Sequence, residues 1–178
     1  IWPDGQVELR QRMSSYFKAM EDLGAAVMQA FAIALDLPET FFSDKLDRHT
    51  SSLRLIRYPG ACPAAQGQRR AGEHTDYGTL TILRGDNLPG GLQVKLRHGN
   101  WTDVVRPQGG FICNIGDAMA RWTNDRWLST PHRVVPPRLE DPERNLPRIS
   151  IPFFHVLNLD EQGDAPGLSL IHISEPTR

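Results

Sequence analysis

Gly72-Glu73-His74-Thr75-Asp76-Tyr77-Gly78-Thr79-Leu80-Thr81-Ile82-Leu83 carries a histidine and an aspartate two residues apart, followed at once by an alternating, β-rich run. On a strand or its extended edge, residues i and i+2 point to the same face. An imidazole nitrogen and a carboxylate oxygen placed that way can reach one metal ion from one side. Two ligands do not complete a site, so a third must come from elsewhere in the chain. The competing reading of His74 and Asp76 is a hydrogen-bonded pair in a turn. Tyr77 to Leu83 is expected to be core strand, with Gly78 easing a bend beside the ligands.

Working outward, the same period of two recurs on both sides. Ser52–Tyr58 reads as a strand ended by Pro59-Gly60, and residues 61–72 read as a loop. A turn at Gly85–Gly91 precedes strands at Leu92–Leu96, Trp101–Val105 and Phe111–Ile115, the first two joined by the hairpin signal Arg97-His98-Gly99-Asn100. Gly116-Asp117 opens a short helical piece, Ala118–Trp122. Strands at Thr130–Val135, stopped by Pro136-Pro137, and at Arg148–Val156 follow. Many short strands at near-regular spacing predict an antiparallel sandwich or barrel, not βαβ units.

Ahead of the strands, Leu9, Met13, Phe17, Met20, Leu23/Gly24, Val27, Phe31 and Leu35 recur at threes and fours. That stripe predicts a long amphipathic helix, capped by Asp4, starting near Gly5 and ending before Pro38. It is expected to pack on the back of a sheet, with a short helical turn over Pro38–Ser43. The fold class is therefore mainly β with flanking helices.

Composition excludes several functions. A formal net charge of −1 and no basic block argue against a nucleic-acid footprint. No apolar run is long enough to span a bilayer, and the start lacks a secretory pattern. Two cysteines, Cys62 and Cys113, make no disulfide framework; reduced thiols in a cytoplasmic protein are expected. The opening Ile1-Trp2-Pro3, without an initiator Met, predicts a piece of a longer protein. Residues 1–160 are expected to form one domain. Residues 161–178 are expected to be a non-native or disordered tail, since 168–178 resembles the translation of a sequencing-adapter read; a terminal strand is the competing reading.

The third ligand candidate comes from the six histidines. His49, His98, His155 and His172 lack a ligand-spaced partner and read as surface or packing residues. His132 differs: it lies in Thr130-Pro131-His132-Arg133-Val134-Val135, where a buried His needs a partner. Antiparallel folds bring such distant strands side by side. His74, Asp76 and His132 would then form a two-His, one-carboxylate face, the arrangement associated with non-haem Fe(II) oxygenases. Further on, Arg148 and Ser150 share a strand face in an otherwise apolar run. A planar guanidinium and a hydroxyl make a clamp for a carboxylate.

In order, His74-Thr75-Asp76, Asn114-Ile115-Gly116-Asp117, His132-Arg133-Val134 and Arg148-Ile149-Ser150 resemble the Fe(II)/2-oxoglutarate-dependent dioxygenase superfamily. More narrowly, Ile56-Arg57-Tyr58-Pro59, Gly90-Gly91-Leu92-Gln93-Val94 and the Trp101 strand are similar to its isopenicillin N synthase-like branch. The resemblance covers roughly residues 5 to 158. It implies a double-stranded β-helix (jelly-roll) core with iron at one open end. It implies His74, Asp76 and His132 as iron ligands and Arg148 and Ser150 as the site for the distal carboxylate of 2-oxoglutarate. Tyr58 would line the site and donate to a substrate or co-substrate carboxylate.

The implied enzyme uses Fe(II), 2-oxoglutarate and O2 to hydroxylate, desaturate or otherwise oxidise a small organic molecule, releasing succinate and CO2. Asp76 argues against the related halogenases, in which a small residue stands at that position. The alternatives are a 2-oxoglutarate-independent Fe(II) oxidase of the isopenicillin N synthase type, a zinc hydrolase, and a non-catalytic or truncated inactive jelly-roll relative. The substrate and oligomeric state are not legible.

Overall fold

The computed structural model describes residues 2–60, 69–86, 88, 91–138 and 140–159. Helix α1, Val7–Ala34, comes first, then a single turn, α2, Ser43–Leu46. The expected N-cap, Asp4, is not used. Gly5 has a φ of 72°, Gln6 takes the cap position without a side-chain bond, and the helix starts at Val7. The fully buried line is Met20, Gly24, Met28 and Ala32, every fourth residue. Phe17, Leu23, Val27 and Phe31 flank it half-buried. A spacing of four tracks the inner edge of the broad stripe read from the sequence.

Nine strands follow among the described residues. They are β1 Ser52–Leu53, β2 Ile56–Tyr58, β3 Ala71–His74, β4 Leu80–Gly85, β5 Leu92–Lys95, β6 Trp101–Asp103, β7 Ile112–Ile115, β8 His132–Val134 and β9 Arg148–His155; helix α3, Asp117–Trp122, separates β7 from β8. One sheet runs β1-β9-β4-β7, with β2 also on β9, and the other runs β3-β8-β5-β6. All pairings are antiparallel.

The expected single strand over Ser52–Tyr58 is broken in two. The registers Leu53↔Phe153 and Ile56↔Ser150 put Arg54 opposite Pro152. Arg54 N–H donates to Pro152 O at 3.0 Å, but Pro152 has no N–H to return, so half of that rung is missing.

The core lies between α1 and the β9–β4 sheet. Phe153, 0% exposed, meets Phe17 edge-on at 5.5 Å. Phe42 stacks on Trp122 at 5.2 Å. No described helix is long and apolar enough to cross a membrane. Of the expected loop at 61–72, Ala71 and Gly72 instead belong to β3, paired with β8, and 61–68 lie outside the described residues, as do part of the turn at 85–91, Cys62, His172 and the tail from 160 on.

Candidate metal centre

The opening stretch is only partly strand. β3 ends at His74 and β4 begins at Leu80, so Asp76 sits in a tight link between sheets. The first N–H groups of α3 hold that link. Asp117 N donates to Asp76 O at 2.7 Å, and Ala118 N to Tyr77 O at 3.2 Å. A helix start needs such acceptors; here the link between β3 and β4 provides them. Thr75 Oγ1 adds a bond to Asp117 Oδ2 at 3.1 Å.

Two expectations for this stretch are corrected. Tyr77 is not core: its side chain is 88% exposed. Gly78 is required by close packing instead of a bend, because a Cβ there would stand 2.1 Å from His155 O.

β3 pairs with β8 so that His74 and His132 are Cα partners. Their rings stand 4.3 Å apart, centroid to centroid. His74 Nε2 lies 3.9 Å and His132 Nε2 3.6 Å from Asp76 Oδ1. These distances are too long for a hydrogen-bonded pair in a turn. One donor atom from each of the three residues lies within 4.8 Å of the others.

The supporting bonds define which atoms are free. His74 Nδ1 contacts Gly72 O at 2.8 Å, and His132 Nδ1 contacts Thr130 O at 3.0 Å. A carbonyl only accepts, so in each neutral ring Nδ1 carries the proton and Nε2 the lone pair. Asp76 is 6% exposed. Its Oδ2 accepts from Thr81 Oγ1 at 2.6 Å and from Asn114 Nδ2 at 2.9 Å. Thr81 and Asn114 are direct partners across the β4–β7 pair. Oδ1 is left facing the two imidazole lone pairs. Three electron-rich atoms converging at a buried carboxylate repel one another unless a cation lies between them. The donor set, two nitrogens and one oxygen, fits a ferrous ion with open positions.

Arg148 and Ser150 lie together on the wall of a pocket of about 510 Å³ between the two sheets. His74, Asp76 and His132 are not on that wall. Arg148 crosses the interior: its Nη1 lies 2.9 Å from where a Cβ on Gly91 would be, beside Val134 of β8. Gly91, with a φ of 101°, gives it room. Asp86 Oδ1 stands 3.7 Å from Arg148 Nε, which is buried without a hydrogen bond. The second Asp86 oxygen accepts from Ile149 N. Tyr58 is the Cα partner of Arg148 across β2–β9. It does not line the pocket, and the Arg70 guanidinium lies 5.6 Å over its ring. Burial raises the Tyr58 phenol pKa above its ordinary value, with Arg148 and Arg70 opposing.

The sequence named Asn114 only as part of a motif and did not single out Thr81, Asp86 or the two anchoring carbonyls. Thr81, five residues past Asp76 on an alternating strand, had a readable signal. The others depend on register and side-chain path.

Fold and donor set define a jelly-roll protein with a two-histidine, one-carboxylate centre. The family model of the 2OG-Fe(II) oxygenase superfamily matches residues 50–156, and the chain belongs to that superfamily. It is similar to the 2-oxoglutarate-dependent dioxygenase htyE of Aspergillus rugulosus, 40% identical over 72% of this chain and 40% of the relative. It is also similar to the validamycin A dioxygenase of Streptomyces hygroscopicus subsp. limoneus, 33% identical over 86% of this chain and 42% of the relative. The crystal structure of a full-length Neurospora crassa protein in complex with alpha-KG superposes with a TM-score of 0.81 at 39% identity, covering 88% of this chain and 50% of that one. The chain thus spans half or less of the length of these relatives.

Proposed function

We propose that this chain is the metal- and co-substrate-binding core of an Fe(II)- and 2-oxoglutarate-dependent oxygenase acting on a small organic molecule. The observation that carries the reading is the convergence of His74 Nε2, His132 Nε2 and Asp76 Oδ1, each oriented by a bond on its far side. His74, Asp76 and His132 hold the iron in this reading. Bound iron would supply O2 activation, chemistry that no side chain provides. Thr81 and Asn114 keep Asp76 aimed. Arg148 and Ser150 hold the far carboxylate of 2-oxoglutarate.

The spacing supports that pairing. Arg148 Nη1 reaches the level of Val134, two residues along β8 from His132, a rise of about 7 Å. A five-carbon keto diacid can bridge such a span. Tyr58, held beside Arg148, is proposed to steer that side chain more than to touch substrate. Membership of the isopenicillin N synthase-like branch, domain limits of 1–160 and a cytoplasmic location are part of the proposal. The location rests on a two-cysteine chain in which Cys113 is unpaired.

Oxygen uptake with Fe(II) tests the co-substrate directly. Uptake should require 2-oxoglutarate and yield succinate. Uptake unchanged by adding the keto acid would favour the 2-oxoglutarate-independent oxidase instead. In binding assays, Arg148→Ala should weaken 2-oxoglutarate by about tenfold or more, as loss of a bidentate charge pair does, and leave iron affinity alone.

A further inference from the structure

Asp86 directly follows β4 and lies on the wall of the interior pocket with Arg148 and Ser150. Register brings it there, because Gly85 is the Cα partner of Ser150. Its backbone and its side chain are both tied. Asp86 N–H donates to Ile149 O at 3.1 Å, and Asp86 O accepts from Arg106 Nη2 at 2.5 Å. Oδ2 accepts from Ile149 N, and Oδ1 accepts from Leu88 N at 3.2 Å.

Ile149 lies between Arg148 and Ser150, so these bonds fasten Asp86 to the stretch that carries the clamp. Asp86 Oδ1 stands 3.7 Å from Arg148 Nε, too far for a hydrogen bond but close enough for charge attraction. Arg148 Nε is buried with no hydrogen-bond partner. The other end of the guanidinium has different surroundings: Nη1 lies over Gly91, which lines the same pocket.

A guanidinium can grip a carboxylate along its Nε side or across its two Nη groups. A buried arginine that meets no counter-charge until its ligand arrives is costly. A long side chain also loses rotamer freedom on binding unless it is held beforehand. Asp86 meets both needs. It cannot follow the guanidinium further into the pocket, because backbone N–H groups hold both its oxygens. Resting on the co-substrate reading above, we propose that Asp86 is a positioning residue for the keto acid. It holds the Nε side of Arg148, so that the Nη end and Ser150 take the far carboxylate. Asp86 does not itself touch the acid.

The readout is keto-acid binding, not turnover, by the full chain loaded anaerobically with Fe(II). The control is 2-oxovalerate, which has the same five-carbon chain and lacks the far carboxylate. Asp86→Asn keeps an acceptor oxygen and drops the charge. It should weaken 2-oxoglutarate by about fivefold or more, the scale of coupling within one ion-pair network. Affinity for iron and for 2-oxovalerate should not change. In an Arg148→Ala background, Asp86→Asn should bring no further loss. A crystal structure with Zn(II) and 2-oxoglutarate, which needs no variant, should show the far carboxylate on the Nη end and Asp86 still beside Nε. Equal losses for the two keto acids, unchanged 2-oxoglutarate affinity in folded Asp86→Asn, a further loss without Arg148, or a carboxylate seated at Nε would each overturn the proposal. If the unaltered chain showed no preference for 2-oxoglutarate over 2-oxovalerate, the co-substrate reading itself would fail, and this inference with it.

Discussion

At Asp76 the two carboxylate oxygens have separate partners: Oδ2 takes bonds from Thr81 and Asn114, and Oδ1 faces two imidazoles. Outer bonds of this kind typically govern metal affinity over about 10–100-fold. Thr81→Val and Asn114→Ala should therefore each weaken Fe(II) within that range while the fold persists, as read by anaerobic titration alongside circular dichroism. His155 gives a pH prediction of opposite origin. Its folded pKa lies near 4 against an ordinary 6.5, so between those values the unfolded chain binds more protons. Stability is full above about pH 6.5 and falls as the pH drops towards 4, by at most about 3 kcal/mol. Urea unfolding at pH 7.5 and 4.5 should show this loss, and His155→Gln should shrink it.

Among the elements, the link from β3 to β4 depends on two glycines that stack against backbone. A Cβ on Gly78 would stand 2.1 Å from His155 O, and one on Gly116 would stand 2.1 Å from Gly78 O. Neither neighbour is the flexible end of a side chain. Gly78→Ala should therefore cost more than about 3 kcal/mol and lower iron affinity with it, because Asp76 moves with the loop; thermal melts and metal titration check both effects. The long helix was readable because its spacing of threes and fours agrees with its burial, and β4, β7 and β9 because they are apolar, β-branched runs bounded by turns. The break at Arg54 was not, since it depends on Pro152, a residue distant in sequence that only strand register brings opposite. Tyr77 was misread for a related reason. It continues the alternating pattern, but the bonds from α3 keep the chain out of the sheet until Leu80.

For the whole molecule, the two sheets bring the candidate ligands from β3, the following link and β8 to one point and put Arg148 across the interior from β8. The candidate ligands were legible because His-x-Asp, a later His and Arg-x-Ser are chemically distinctive. Their support was not, because carbonyls and cross-strand neighbours have no signature in a single sequence. The central claim is that His74, Asp76 and His132 hold iron on which 2-oxoglutarate can chelate. Anaerobic addition of Fe(II) and then 2-oxoglutarate tests it most directly, by the weak visible charge-transfer band of a chelated keto acid. The band should appear with the unaltered chain and vanish, together with iron binding, in His74→Ala; iron affinity and band unchanged in His74→Ala would contradict the account.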